Sequence, residues 1–363
     1  MTMQRNGGST DRLASLDLLR VVAALAVVAF HYFFRGAAGD PMLNVAYPAL
    51  APLAVYGYLG VNLFFLISGF VIAWSAEGRD GIAFAIARFA RIYPGFIASM
   101  TITFIVLLFA GDPRWPVTVQ QYLANLFVLS PALGQPFIDG VYWSIVLELV
   151  FYFWVALALL LGVFERWKLP LVAGWLAVCA ANEYFVGSGA ARLLFITEFG
   201  PWFAGGILVH HVFSRGWSVA AAGLMACAFA LSCAMLPITA GWMQETYGTS
   251  LGIGVLVAAN VVIHLLLPAS IAVRRFVPAS PLVIMLGGLT YPLYLLHQNI
   301  GYAAINALAP SLGAPVAALT ALVAAIVASW LVWRYVETPG RKATVGLLTR
   351  LVTLSGLRLA RAS

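Results

Sequence analysis

An all-α bundle of about ten membrane-spanning helices is the fold class this sequence predicts, and three observations predict it. Hydrophobic residues make up 63% of the 363-residue chain and charged residues only 9%, against about 25% charged in ordinary soluble domains. Apolar runs recur along the whole length, and most of them approach the ~20 residues that a bilayer core of roughly 30 Å requires. The basic residues, in turn, gather on one side of the alternating topology that those runs imply.

Taken in order, the spans are expected near 16–34, 57–76, 92–110, 141–163, 170–185, 193–213, 217–236, 250–267, 281–305 and 315–336. The fifth is short, and the sixth contains Glu198 and Pro201. An even number of crossings puts both termini on the same side. With that side cytoplasmic, only Arg35, Arg114 and Arg192 of the 20 Lys and Arg residues fall outside, as the positive-inside rule requires. The longest outer connection, about residues 111–140, has helical potential over 119–129 and is too short to house a second domain. The reading is one membrane domain over 16–338, between a cytoplasmic tail at 1–15 and a basic tail at 339–363. In that last tail Arg350, Arg358 and Arg361 interleave with leucines, as in an amphipathic helix lying on the inner membrane surface. No internal repeat or low-complexity tract is present.

Composition also excludes several function classes. The net charge of +7 is scattered between apolar runs rather than gathered into a patch, so nucleic acid is not the expected partner. Cys179, Cys227 and Cys233 lie in apolar segments without metal-binding or redox spacing, and no metal is expected. The first apolar run is too long for a typical signal-peptide core, and its polar residues argue for retention.

The chemistry is carried by ionisable residues inside the spans, where they are costly and usually functional. Arg20 and His31 are eleven residues apart in the first span. At helical pitch they share a face, roughly 16 Å apart along the axis. The bland alternatives are a snorkelling arginine and a satisfied core histidine, but the shared face weighs against both. Arg88-Phe89-Ala90-Arg91 follows the second span on the cytoplasmic side. Its arginines share a helix face and could grip phosphates, although plain positive-inside charge is the simpler account of them. In the fourth span Ser144 and Glu148 are four apart, which puts the carboxylate about 10 Å into the bilayer, where it needs a partner or a proton. Tyr294 and His297 share a face of the ninth span. His31, Glu148 and His297 therefore sit at similar depth, and mutual satisfaction of the three is the physically cheapest arrangement. Asn62, near the outer end of the second span, could face the same cluster, whereas Ser68 and Gly69 read as small residues for close helix packing.

These pieces together resemble acyltransferase family 3, in its stand-alone form. The resemblance rests on Arg20 and His31 at the family's spacing, on Gly60-Val-Asn-Leu-Phe-Phe-Leu-Ile-Ser-Gly-Phe70, and on Arg88-Phe-Ala-Arg91, similar to the family's Arg-x-x-Arg loop. Trp143-Ser144 with Glu148, Tyr291-Pro-Leu-Tyr294-Leu-Leu-His297 and Glu337-Thr-Pro339 complete it, in order, from residue 16 to about 340. Two positions depart from the pattern: Asn62 stands where many members carry Asp, and Ile145 replaces a Leu. The resemblance implies a multi-pass enzyme of the bacterial inner membrane. It would move an acyl group, acetyl above all, from acyl-CoA to a hydroxyl of a carbohydrate or glycolipid acceptor such as a surface polysaccharide or its lipid-linked precursor. Arg88 and Arg91 would hold the donor phosphates, and Arg20 would orient the pantetheine arm or thioester. His31 would be general base or acyl carrier, with Glu148 raising its basicity. Ser144, Trp143, Tyr294, His297 and Asn62 are the expected acceptor contacts. A transporter or flippase for a glycan or lipid-linked intermediate is the rival reading, and the lack of inverted repeats counts against it. A noncatalytic partner of a polysaccharide synthase is the third, and the retained Arg20, His31, Glu148 and His297 count against that.

Overall fold

The structure, a computed structural model, describes residues 13–355. Fifteen α-helices account for most of it. They are α1 (Ala14–Phe33), α2 (Ala51–Ala54), α3 (Leu59–Ala76), α4 (Gly81–Ala110), α5 (Val119–Asn125), α6 (Tyr142–Leu160), α7 (Lys168–Ala181) and α8 (Gly189–Phe195). There follow α9 (Gly200–Arg215), α10 (Val219–Tyr247), α11 (Ile253–Ala272), α12 (Pro281–Leu296), α13 (Gln298–Leu312), α14 (Ala314–Val332) and α15 (Thr338–Leu354). Among the described residues no strand occurs. Nine helical stretches are long and apolar enough to cross a bilayer, and α12 is a shorter apolar helix beside them. In lipid this is the expected solution, since a helix satisfies its own backbone.

Local chemistry sets the boundaries. Asp80 caps α4 by accepting from the backbone N–H groups of Ile82 and Ala83 at 2.9 and 3.1 Å. The helix therefore starts well before the expected span at 92 and runs unbroken to Ala110, with Pro94 inside it. Arg88 and Arg91 consequently stand on this helix and not in a loop. The expected sixth span is divided: α8 ends at Ile196, which adopts a left-handed backbone with φ 53°, and α9 resumes at Gly200. The expected ninth span, 281–305, is also divided, with α12 ending at Leu296, α13 beginning at Gln298 and His297 at the elbow. The segment 119–129 forms a helix only over Val119–Asn125. Arg350 of the basic tail lies on α15, while Arg358, Arg361 and residues 1–12 of the other tail lie outside the described residues.

The core sits around α1, which packs against α3, α11, α12 and α13. α3 crosses α9 at van der Waals contact of the two backbones. A Cβ on Gly69 would lie 2.0 Å from the Phe203 carbonyl, and one on Gly206 would lie 2.0 Å from that of Leu66. Small residues allow this approach, and it brings Ser68 into the interior. α15 lies against α4. Polar side chains from α1, α3, α4, α6 and α12 thereby face one another in a column inside the bundle.

Candidate active site

The polar column has two ends. The basic end carries Arg20, Arg88 and Arg91, and the far end carries His31 and Arg35. At the far end His31 of α1 meets His297 from the α12–α13 elbow, with Nδ1 of His31 and Nε2 of His297 3.0 Å apart. The rings lie edge to face, 4.8 Å between centroids. His31 Nδ1 is also 2.9 Å from the Val27 carbonyl. His297 Nδ1 lies 3.0 Å from the Leu293 carbonyl and 2.9 Å from that of Tyr294. His31 lines a cavity of about 480 Å³ together with Arg35, Asn62, Trp143, Glu198 and Gln298. His297 is fully buried behind it and lines none of the cavities described below.

Just behind the pair, Asp139 in the α5–α6 connection is fully buried. Its carboxylate accepts from the backbone N–H of Val141 at 3.2 Å and from that of Asn299 at 2.9 Å. Asn299 Nδ2 in turn donates to the Ile138 carbonyl at 3.0 Å. These bonds tie the start of α13 to the entry of α6, so the elbow that carries His297 is clamped from two sides. Burial pushes the Asp139 carboxyl up to about 7, and the two backbone donors counter only part of that rise.

Midway along the column Tyr294 and Ser144 share a hydrogen bond of 2.6 Å. Both hydroxyls also lie against the Val141 carbonyl, at 3.3 and 3.1 Å. Tyr294 and Val61 line the far cavity and also a smaller one of about 120 Å³ on the basic side. They form the partition between the two.

Below the partition, the smaller cavity is bounded by Arg20, Arg88, Arg91, Glu148, Tyr152 and Tyr291. Glu148 accepts hydrogen bonds from Ser68 Oγ at 3.2 Å and from the Tyr152 hydroxyl. Arg91 hydrogen-bonds Glu337, at the junction of α14 and α15, and its guanidinium lies over the Tyr291 ring at 5.4 Å. Arg20 is 3.6 Å from Asp17. Arg88 lies over the Phe84 ring at 5.7 Å, and its buried Nε has no hydrogen-bond partner. A third cavity of about 490 Å³ continues outward, sharing Arg20, Val71 and Arg91 with the second and adding Arg341 and Lys342. Three cavities with shared walls thus run from one end of the bundle to the other.

The expected residues fall into two groups. His31, Asn62 and Trp143 share the far cavity, Tyr294 stands in the partition with Ser144 bonded to it from the basic side, and Arg20, Arg88, Arg91 and Glu148 share the basic cavity. The expectation that Glu148 supports His31 is corrected by its contacts. Glu148 is one helical turn beyond Ser144, itself already at the partition, so its carboxylate emerges on the arginine side. His297, expected to touch the acceptor, instead stands behind His31. Sequence reasoning gave no role to three residues that help build the site. Glu337 was visible as part of the Glu-Thr-Pro motif, and Tyr152 sits one turn after Glu148. Asp139 had no signal beyond being an acid in a Pro- and Gly-containing connection.

Comparison with known proteins agrees with this architecture. The family described as an acyltransferase domain, acyltransferase family 3, matches residues 13–334. The chain belongs to that family. It is 33% identical over 148 residues to "Acyltransferase MdmB" of Streptomyces mycarofaciens, a match covering 39% of this chain and 38% of that one. It is 28% identical over 195 residues to "Nodulation protein 10" of Rhizobium leguminosarum bv. viciae, covering 48% and 51%. It is 27% identical over 314 residues to "Exopolysaccharide production protein ExoZ" of Rhizobium meliloti (strain 1021), covering 81% of this chain and 94% of that one. The match thus spans about half or less of the first two relatives and nearly all of ExoZ. No solved structure matches the chain.

Proposed function

We propose that this protein transfers an acetyl group from acetyl-CoA, bound at the basic end, to a carbohydrate hydroxyl held in the far cavity beside His31. The observation that carries the reading is the series of three cavities, arginine-lined at one end and histidine-lined at the other, with Tyr294 and Val61 as a common wall. A phosphorylated donor suits Arg20, Arg88, Arg91 and Arg341, since guanidinium groups bind phosphate through paired charge-assisted hydrogen bonds. The basic end is then the cytoplasmic end, and both termini and the inner bacterial membrane follow from that orientation. The length of ExoZ that the chain matches, and that relative's name as an exopolysaccharide production protein, support a surface polysaccharide or its lipid-linked precursor as acceptor.

The chemistry then follows from the two ends. The pantetheine arm threads past Arg20 toward the partition and brings the thioester within reach of the far cavity. His31 takes the proton of the acceptor hydroxyl as its oxygen attacks the acyl carbon. The C–S bond breaks, and the thiolate leaves with a proton returned by His31. Glu148, among the arginines, balances their charge before the donor phosphates arrive. Asn62 and Trp143 contact the acceptor.

The test is transfer in reconstituted proteoliposomes, with labelled acetyl-CoA on one side and glycan-bearing membrane extract as acceptor. Label is expected to move from CoA into the glycan fraction with wild-type protein and not with His31→Ala. Equal transfer by the two proteins would remove His31 from the reaction. Failure of CoA to protect Arg88 from guanidine-directed labelling would remove the donor from the basic end.

A further inference from the structure

We propose that His297 is the positioning residue that decides which nitrogen of His31 reacts: it keeps the His31 proton on Nδ1 and leaves Nε2 as the base facing the far cavity. The inference rests on the reading of His31 as the proton acceptor and adds the atom and the device that selects it.

The argument is one of donors and acceptors. A carbonyl oxygen only accepts, so the two carbonyls beside His297 Nδ1, at 3.0 and 2.9 Å, require a proton on that nitrogen. In the neutral ring Nε2 is then a lone pair. That lone pair is 3.0 Å from His31 Nδ1, which also faces the Val27 carbonyl at 2.9 Å. Two acceptors converge on one nitrogen, so His31 Nδ1 carries the proton and shares it between them. The remaining nitrogen, Nε2, is the basic one, and no described residue hydrogen-bonds it.

The direction of this chain is built into the backbone. The carbonyls of Leu293 and Tyr294 belong to the last turn of α12, which ends at the elbow; that of Leu293 also accepts the His297 backbone N–H at 3.1 Å, and both oxygens keep a lone pair for the ring. The clamp of Asp139 on Asn299 holds the elbow in place. The charged and titratable groups around the pair are Tyr32 on α1 and Arg35 just after it, Tyr58 ahead of α3, Tyr294 on α12, Tyr247 on α10, Asp139, and Glu198 at the α8–α9 corner. The carboxylate of Asp139 is occupied by backbone donors, and neither it nor Glu198 hydrogen-bonds a ring of the pair. A second proton on His297 would therefore be a buried charge without a counter-ion, which favours the neutral pair at rest.

During transfer the hydroxyl oxygen bonds to the acyl carbon while its proton moves to His31 Nε2. The imidazolium that results donates from Nδ1 to the His297 lone pair, a bond strengthened by the charge. His297 gains and loses no covalent bond. When the C–S bond breaks, the proton on Nε2 passes to the departing thiolate, and the neutral pair is restored.

The decisive measurement is nitrogen NMR of protein labelled at its five histidines, in lipid nanodiscs, with single substitutions assigning the signals. Ring nitrogens with and without a proton differ widely in shift, so tautomers are read without any turnover. At neutral pH His31 and His297 are both expected as Nδ1–H rings. His297→Gln supplies a carbonyl oxygen for the same bond and should keep His31 as Nδ1–H, with activity within about tenfold of wild type. His297→Phe fills the space without a lone pair. It should admit the Nε2–H form of His31, lower kcat by about 10²-fold with donor and acceptor KM unchanged, and move the acidic limb of the pH profile to lower pH. That shift has the sign expected when an imidazolium loses an acceptor. A wild-type His31 carrying its proton on Nε2 would overturn the proposal, and so would equal kinetic losses in the Gln and Phe variants. If His31→Ala proved active, the reading of His31 as base would fail while the tautomer result stood on its own.

Discussion

The two ends of the polar column solve the problem of charge in a membrane in opposite ways. At the far end, two imidazoles satisfy each other and three backbone carbonyls, so the site is organised before any substrate arrives. At the basic end, cations outnumber nearby carboxylates, and Arg88 forms no ion pair among the described residues, its buried Nε lacking any partner. An unsatisfied buried donor costs free energy that a matching ligand recovers. On the proposed function, the far end serves the reaction and the basic end an anion that comes and goes.

The sharpest way to break this contrast is at His31. His31→Ala is expected to reduce transfer by about 10²- to 10⁴-fold, with the protein inserted at normal abundance and donor binding intact. A variant that retains turnover while losing donor affinity would reverse the roles of the two ends.

A smaller effect separates the arginines. Arg88→Ala should raise the donor KM by about 10- to 100-fold, the worth of a charged hydrogen bond, with little change in stability. Arg91→Ala should raise it too and also destabilise the fold, by on the order of 3 kcal/mol, because Glu337 is left buried without its partner. Adding Glu337→Gln should restore stability but not donor affinity. Melting temperatures and KM values of the four proteins decide it; if the Arg91 variants melt like wild type, that pair is not structural.

Glu148 tests whether the ends are chemically independent. Glu148→Gln removes a charge from the arginine cavity and not from the histidine pair. It should alter donor KM several-fold, leave the acidic limb of the pH profile in place, and behave additively with His297→Gln. Coupling between the two in a double-mutant cycle would mean that the partition at Tyr294 does not insulate them.

The smallest effect is on stability. The Asp139 carboxyl is raised to about 7 by burial, above the ordinary value of about 4. The folded state thus binds more protons than the unfolded state between those values. Stability falls as pH rises through that window, at up to about 1.4 kcal/mol per pH unit. Asp139→Asn should flatten the slope in thermal melts of solubilised protein. A wild-type slope of zero there would place the carboxyl in a more polar setting than its bonds indicate.

How far the sequence revealed this arrangement differs from residue to residue. Arg20 and His31 were legible because a single helix of known pitch connects them, and ten apolar runs were legible because lipid demands length. The partnership of His31 was not, since Glu148 and His297 both lay at plausible depth and depth alone cannot choose between them. Helix rotation and the partition at Ser144 and Tyr294 made the choice. Arg88 and Arg91 fell outside the expected span because the hydropathy of their helix drops around them, while the cap at Asp80 lies twelve residues before the expected start at 92. The elbow at His297 was hidden by continuous hydrophobicity, for Pro292 lies inside α12 and does not end it. Asp139 was the least visible, because an isolated acid between helices reads as solvated until the chain is folded around it.

The pairing of Arg91 with Glu337 has a consequence for biosynthesis. The arginine cavity takes Arg20 from α1, and Arg91 within it is balanced by a residue between α14 and α15. The histidine pair likewise joins α1 to the α12–α13 elbow. Neither end of the column is assembled in a chain synthesised only as far as α11, so a nascent protein already threaded into the membrane holds neither the histidine pair nor the balanced arginine. Both ends are completed only once α12 to α15 have docked.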